Sequence, residues 1–240
     1  MGQRSQIYVR CTNKEGKKYL YARYYSWNYG ERMVSRAKHS LEWIKSMKNC
    51  FWIFSGEPQR LIRILDTNFD MQDVVISSDL IKEWNEDFSE ENFNDFIFKW
   101  VDNNDGKLFI DIDENQDTIK YAFTDGYSMD RVMSAAQYMN WNHKKWRDSK
   151  YISKEQKQLC ENNIRFIPRI AKLMTKQELD EFISCDYGYK SHKAPINYDE
   201  PIYAVYDEDE LIFTTTYEHQ AYQMVNNINN DGGCGYYTIQ

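Results

Sequence analysis

The chain has 240 residues, a formal net charge of −7, 42% apolar residues and 16% aromatic residues. This composition excludes an intrinsically disordered protein, and the length allows one large domain or two small ones. No apolar run approaches the roughly 20 residues that a membrane-spanning helix needs. The first residues also lack the order of a secretory signal, so we expect a cytoplasmic protein without a membrane partner.

Two alternating segments at the start of the chain predict a β-hairpin. Residues 6–12 and 18–25 alternate in side-chain character and flank a turn that contains Gly16. A helix should follow from about Glu31 to Lys48, because apolar residues recur there at helical spacing. The opening of the chain therefore predicts a ββα unit.

The middle of the chain predicts short elements and then a β-meander. Residues 51–56 are typical of a buried strand, and residues 59–67 of a strand or a short helix. A helix capped by Ser77 or Ser78 is expected next. The meander is expected because turn sequences separate three alternating segments, which are residues 96–102, 107–113 and 118–125.

Helical patterns dominate the next part of the chain, and strands return at its end. The helices are expected over residues 128–141, 153–174 and 175–184. Ser153 and Thr175 suit two of their N-caps, and Pro168 should kink or split the second helix. A linker is predicted over residues 187–201, before the closing strands.

These elements predict an α+β fold with antiparallel sheet. Its parts would be an N-terminal ββα unit, a central β-meander, a helical segment and a C-terminal ββαβ unit. We divide the chain into residues 1–125 and 126–240, with one continuous domain as the alternative.

No pattern in the sequence predicts catalysis. The phosphate-binding glycine loops, the nucleophile elbow and the paired histidines of metalloenzymes are all missing. Five scattered cysteines without a C-x-x-C pair predict reduced, mostly buried thiols. We therefore predict no catalytic residue, no metal site and no cofactor, and we leave open whether the protein is an enzyme.

Charge is distributed in blocks along the chain. Residues 1–48 hold 11 Lys/Arg and 3 Asp/Glu, whereas residues 49–130 hold 6 and 19. Residues 131–200 hold 13 and 9, and residues 201–240 hold 0 and 6. Blocks of opposite sign can neutralise each other inside the fold, or they can leave a charged face for a partner.

Arginine and tyrosine alternate on the predicted hairpin. We expect Ile7, Val9 and Cys11 to share one face with Leu20, Ala22 and Tyr24, which leaves the arginines and most tyrosines on the other. Such a face suits nucleic acid or a protein partner, unless another part of the chain covers it. With the polar stripe of the first helix, the candidate anion-binding residues are Tyr8, Arg10, Tyr21, Arg23, Tyr25, Arg32, Arg36 and His39.

The opening "MGQRSQIYVR" and the later "ARYYSWNYGERM" resemble a group of phage and prophage proteins. These open Met-Gly-x-Arg-Ser-x-Ile and pass through a hairpin and an aromatic, glycine-containing turn into a helix. The resemblance covers about 45 residues, and Asn28 stands where the group has an acidic residue. It implies a phage or prophage setting in the cytoplasm of a bacterial host. The matching positions are Gly2, Arg4, Ser5, Ile7, Trp27, Tyr29 and Gly30.

The leading functional hypothesis is an anti-CRISPR-like binding protein that inhibits a host nucleoprotein or defence system. Its acidic segments would imitate the charge of nucleic acid toward a basic groove of the partner. The predicted contacts are Asp102, Asp105, Asp111, Asp113, Glu114, Asp207, Glu208, Asp209 and Glu210. The alternatives are a nucleic-acid or nucleotide binder that uses the hairpin, and a hydrolase of nucleotides or RNA, with or without metal. A homodimer is also plausible.

Overall fold

The computed structural model describes most of the first 188 residues and three later strands. The strand predicted over residues 51–56 lies outside the described residues, as do most of the linker and of residues 217–228, the predicted helix of the C-terminal ββαβ unit. Helices and strands both occur, which confirms the α+β class. The described ranges are 3–47, 58–67, 77–87, 93–100, 105–188, 203–207, 210–215 and 235–239, with single positions between 222 and 229.

Strands in the described residues form two sheets. Six strands form a mixed sheet in the order β3-β2-β1-β4-β5-β6, in which β1–β4 and β5–β6 are parallel pairs. The sequence predicted an antiparallel sheet and did not anticipate these two pairings. A smaller antiparallel sheet has the order β8-β7-β9. The bounds are β1 Arg4–Thr12, β2 Lys18–Ser26, β3 Ser77–Asp79, β4 Lys107–Asp113, β5 Thr118–Thr124, β6 Lys172–Leu173, β7 Tyr203–Asp207, β8 Glu210–Thr215 and β9 Gly235–Ile239.

Helices cover both faces of the large sheet. Apolar residues of α1, α2, α5 and α6 pack on one face, and those of α3, α4, a π-helix and α7 pack on the other. Each of the two cores contains residues from both sides of position 125. The bounds are α1 Glu31–Met47, α2 Pro58–Asp66, α3 Leu80–Asp87, α4 Phe93–Asp95, the π-helix Phe96–Trp100, α5 Ala135–Asn142, a 3-10 turn Trp146–Asp148, α6 Lys154–Ile170 and α7 Lys176–Ile183.

The hairpin has a different register from the one predicted. Residues that pair across two antiparallel strands lie on the same face of the sheet. Ile7 pairs with Arg23 and Tyr8 with Ala22, so Ile7 shares its face with Arg23 and not with Ala22. The predicted assignment of side chains to the two faces was wrong. The cause is the turn, in which the amide of Asn13 donates to the carbonyl of Lys17 at 2.9 Å. Gly16 lies inside this turn with φ +79°, a position that glycine adopts readily.

The first strand predicted for the meander is not a strand over its described residues, 96–100. Phe96–Trp100 is a π-helix that continues α4, and β4 pairs with β1 and β5 instead. The segment carries Phe96, Ile97 and Phe98, all fully buried against the sheet. A short apolar run of this kind fits a buried strand and a buried helix equally well, because periodicity alone does not separate the two.

Local capping signals set several helix ends. Thr175 and Glu178 form the predicted capping box of α7, and Ser153 caps α6. Pro168 lies in the last turn of α6, and the helix continues to Ile170 without splitting. The cap of α3 is Asp79 and not a serine, because its carboxylate accepts from the amide of Ile81 at 3.0 Å.

Gly106 occupies a position where a side chain cannot fit. Its φ is +92°, and an added Cβ would lie 2.7 Å from the carbonyl oxygen of Thr124 and 2.9 Å from the ring of Tyr138. We expect Gly106→Ala to lower the free energy of unfolding by about 2–3 kcal/mol, measured by urea denaturation. Gly16→Ala is the control, because φ is also positive there but no atom lies within 4 Å. It should cost only about 1 kcal/mol, and equal losses would contradict the steric explanation.

Candidate functional site

Three of the arginines predicted to bind anions are buried. Arg10, Arg23 and Arg36 are each less than 9% exposed, and Tyr8 and Tyr25 are fully buried. Their side chains are therefore not available to a partner in this structure. The other candidates, Tyr21, Arg32 and His39, are half-buried. The Nδ1 atom of His39 lies 3.8 Å from the carboxylate of Glu42.

Arg10 belongs to a row of charges across the sheet. Its guanidinium donates to both carboxylate oxygens of Asp111, at 2.7 and 2.8 Å, and packs over the ring of Phe182 in α7. Burial alone would lower the pKa of Arg10, but the hydrogen bond and charge of Asp111 raise it above its ordinary value. Lys120 is the neighbour of Asp111 on β5, and it donates to Glu178 of α7 at 2.9 Å. This row ties α7 to the sheet.

Arg23 and Arg36 hold α2 in place. Arg23 pairs with the carboxylate of Asp66, which also accepts from the hydroxyl of Tyr25 at 3.0 Å. Arg36 donates to the carbonyl oxygens of Leu65 and Thr67 and packs over the ring of Tyr25. Cations at a helix C-terminus satisfy its last carbonyl groups and oppose its dipole. The pKa of Arg36 is lowered from its ordinary value, because the effect of burial exceeds the opposing effects of Tyr25 and Asp66.

The turn that carries the phage-protein resemblance is part of the same interior network. Asn28 is fully buried, and its amide donates to the hydroxyl of Ser5 at 3.0 Å. Its carbonyl oxygen accepts from Arg36, also at 3.0 Å. The backbone amide of Gly30 donates to the hydroxyl of Tyr138. In this structure Asn28 and Gly30 of this turn thus join β1, α1 and α5.

The acidic residues predicted to contact a partner fall into three groups. Asp105 and Asp111 are buried, and Asp105 accepts from the amide of Arg4 at 2.8 Å. Asp113 and Glu114 are half-buried and accept from backbone amides of two turns. Of the remaining residues, Asp207 and Glu210 lie on strands whose side chains are not described, and Asp102, Glu208 and Asp209 lie outside the described residues.

A lysine is buried beneath the π-helix. Lys107 is 1% exposed, and its ammonium donates to the carbonyl oxygen of Phe98. The hydroxyl of Tyr8 donates to the neighbouring carbonyl of Ile97 at 2.7 Å. A π-helix leaves its backbone groups less regularly paired than an α-helix does, and these two side chains satisfy two of its carbonyls. Burial lowers the pKa of Lys107 to about 8, although the charge of Asp125 raises it.

This lysine should make stability depend on pH. The native pKa of about 8 is below the unfolded value of about 10.4, so the cost of burying the charge is complete below pH 8. This cost disappears as pH rises from about 8 to about 10.4, because the lysine loses its proton at a lower pH in the native state than in the unfolded state. Relative to Lys107→Met, the wild type should gain roughly 1.4 kcal/mol per pH unit between about pH 8 and 10. Urea denaturation across this range measures the difference.

The control is Lys157→Met, in a side chain that is partly solvated on α6. The slope with pH for Lys107→Met should be the steeper of the two, because Lys107 is almost fully buried and Lys157 is not. A pH-independent difference for Lys107→Met would show that the buried ammonium is not the source of the effect.

Residues 143–170 form an exposed basic surface. This segment contains 8 Lys/Arg and 3 Asp/Glu, and it includes the loop between α5 and α6 and all of α6. Within the described residues, the one ion pair of this segment joins Arg147 to Glu161 at 3.0 Å. We call its exposed or half-exposed cations the basic face: Lys144, Lys145, Arg147, Lys150, Lys154, Lys157, Arg165 and Arg169.

Exposed aromatic rings lie among these cations. Tyr151 is 86% exposed, and the ammonium of Lys150 lies 5.2 Å from the centre of its ring. Phe166 of α6 is 40% exposed and lies between Lys38 of α1 and Arg169, each 5.5 Å from the ring centre. Cations that flank an exposed ring can contact phosphates while the ring stacks on a base.

The opposite helical layer carries the opposite charge. Helices α3, α4 and α7 and the π-helix together contain 3 Lys/Arg and 7 Asp/Glu. Because these elements cover the other face of the large sheet, the described helical layers on its two faces differ in the sign of their charge. We call α3, α4, α7 and the π-helix the acidic layer. The basic face is therefore a local feature of an acidic protein.

The sequence indicated the positive charge of this face, but the binding site was predicted on the hairpin. Residues 131–200 have an excess of cations, but the excess in residues 1–48 is larger, so the site was predicted there. Arg10, Arg23 and Arg36 of that block are buried. Arg10 pairs with Asp111 and Arg23 with Asp66, residues that are distant in the sequence. Sequence spacing alone does not reveal such pairs.

Neither a metal centre nor a membrane segment is found among the described residues. No group of three or more His, Cys, Asp or Glu side chains there could hold a metal ion. No helix in the same part of the chain is long and apolar enough to cross a bilayer. Comparison of the chain with protein families, curated proteins and solved structures finds no match.

Proposed function

We propose that this protein binds nucleic acid through its basic face. The observation that carries the proposal is the row of exposed cations in residues 143–170, with Tyr151 and Phe166 exposed among them. α6 is 17 residues long, so the face extends for about 25 Å along the helix. Phosphates repeat about every 3.4 Å along one strand of a duplex, so this length matches roughly seven of them.

A nucleic acid fits the face better than an acidic protein does. Lysine and arginine contact phosphates without regard to sequence, and aromatic rings stack on any base. The net charge of −7 repels a polyanion from the rest of the surface and so directs it to this side. This proposal retains the nucleic-acid alternative from the sequence and moves its contacts from the hairpin to α6.

Fluorescence anisotropy with labelled oligonucleotides tests the proposal. Single-stranded and double-stranded DNA and RNA are titrated with the protein at about 50 mM and about 200 mM salt. Binding at the lower salt that weakens steeply at the higher salt is expected. If no oligonucleotide is retained at the lower salt, the proposal is wrong. Gel analysis of the same samples tests the hydrolase alternative, which requires cleavage of the oligonucleotide.

Inhibition of a host nucleoprotein, in the manner of anti-CRISPR proteins, is the second candidate. It is favoured by the acidic layer of α3 and α7 and by the phage-protein resemblance of the opening. Affinity capture from a bacterial lysate tests it, with Asp207, Glu208, Asp209 and Glu210 changed to lysine as the comparison. The expected result is a basic nucleoprotein that is captured by the wild type, lost with the variant and released by moderate salt. A captured partner that is insensitive to both changes would contradict it.

A further inference from the structure

A groove of about 470 Å³ lies at the C-terminal end of α6. It is open to solvent and is bordered by the C-terminal ends of α1 and α6 and by the turn between β4 and β5. Pockets for small molecules commonly measure about 300–1,000 Å³, so the groove is large enough for a nucleotide. Its lining includes Lys45, Asp117, Thr118, Ile119, Pro168, Arg169 and Lys172.

The lining combines cationic, apolar and polar groups. Lys45, Arg169 and Lys172 supply three positive charges against the one carboxylate of Asp117. The ammonium of Lys45 also donates to the carbonyl oxygen of Arg169 at 3.3 Å, so part of its charge opposes the helix dipole. No hydrogen bond to the guanidinium of Arg169 is found among the described residues, and its contact there is the ring of Phe166.

The groove adjoins the basic face through Arg169. The guanidinium of this residue lies 5.5 Å from the exposed ring of Phe166, and Arg169 also lines the groove. A nucleic-acid strand bound along α6 would therefore reach the groove while its phosphates contact the cations of the basic face. The apolar lining of Ile119 and Pro168 suits the flat side of a base, and Thr118 and Asp117 can bond its edge.

We infer that this groove binds one nucleoside phosphate unit, either as a free nucleotide or as an unpaired residue of a single strand. Binding of an unpaired residue of a single strand rests on the proposed function, whereas binding of a free nucleotide does not. A base within a duplex would first have to leave its stack, whereas an unpaired base enters freely. The groove therefore makes the protein prefer single strands to duplexes.

The test compares two double variants of equal charge. Lys45→Ala with Arg169→Ala removes two cations from the groove, and Lys154→Ala with Lys157→Ala removes two from the other end of α6. All four side chains are exposed or half-exposed, so both variants should fold. Anisotropy measures the affinity for single-stranded and double-stranded oligonucleotides, and calorimetry measures adenosine monophosphate alone.

The groove variant is expected to lose about tenfold more affinity for the single strand than the control, whereas its loss for the duplex should not exceed that of the control. Adenosine monophosphate should bind the wild type and the control but not the groove variant. Two results would contradict nucleotide binding in the groove and leave the proposed function intact. One is an equal loss of single-strand affinity in both variants, and the other is equal binding of adenosine monophosphate by all three proteins. If the wild type retains no oligonucleotide, the proposed function fails and the mononucleotide measurement alone decides the groove.

Discussion

Replacing Asp111 by asparagine is expected to lower the free energy of unfolding by about 3–5 kcal/mol. The change leaves the guanidinium of Arg10 buried without its counter-charge, because both of its short hydrogen bonds end on Asp111. The side chains of the pair are 9% and 11% exposed, so water cannot replace the carboxylate. Urea denaturation at neutral pH measures the loss.

Asp113→Asn is the matched control, on the same strand two residues further on. Asp113 is half-buried, and its partners among the described residues are the amides of Asn115 and Gln116, which asparagine can also bond. Its cost should stay below about 1 kcal/mol. The double change Arg10→Met with Asp111→Leu should recover most of the loss, because it removes both buried charges. A small loss for Asp111→Asn would mean that the pair is solvated.

Reversing three charges of the loop before α6 is expected to weaken nucleic-acid binding by roughly a hundredfold or more at low salt. The variant changes Lys144, Lys145 and Lys150 to glutamate. All three side chains are exposed, and no ion pair within the described residues holds them. The change removes three phosphate contacts and adds three repulsive charges at the same place. Anisotropy with single-stranded DNA or RNA measures the effect, and denaturation confirms that the fold is retained.

The control applies the same change in charge to the acidic layer. Lys82, Lys99 and Lys176 are exposed on α3, the π-helix and α7, and they are changed to glutamate together. Both variants then carry the same net charge. The control should lose less than about tenfold, because distant charges are largely screened in salt. Equal losses would attribute the effect to net charge and not to the basic face.

Local sequence signals predicted the elements better than their arrangement. The hairpin, the capping box of Thr175 and Glu178 and the apolar side of α1 all depend on residues close in sequence, and the structure contains all three. The hairpin faces were wrong, because one residue in the turn decides which side chains share a face. The π-helix was missed because residues 96–100 are apolar throughout.

The candidate site was harder to predict, since the exposure of a side chain cannot be deduced from the residues next to it in the sequence. Arg10, Arg23 and Arg36 are as basic as the lysines of the loop, but each finds acceptors from distant segments, such as Asp111 and Asp66. Their burial follows from the pairing of β1 with β4 and the packing of α2, which depend on the whole fold. The charge excess of residues 131–200 was visible, but its position on one side of the sheet was not.

The dependence of affinity on salt tests the central claim most directly. The logarithm of the binding constant is plotted against the logarithm of salt concentration for the wild type and for the variant with glutamate at positions 144, 145 and 150. The account predicts a steep negative slope for the wild type and a slope that is shallower by about 2–3 for the variant, since about 0.9 is lost for each phosphate contact on duplex DNA and 0.7 on a single strand. Identical slopes for the two proteins would contradict it.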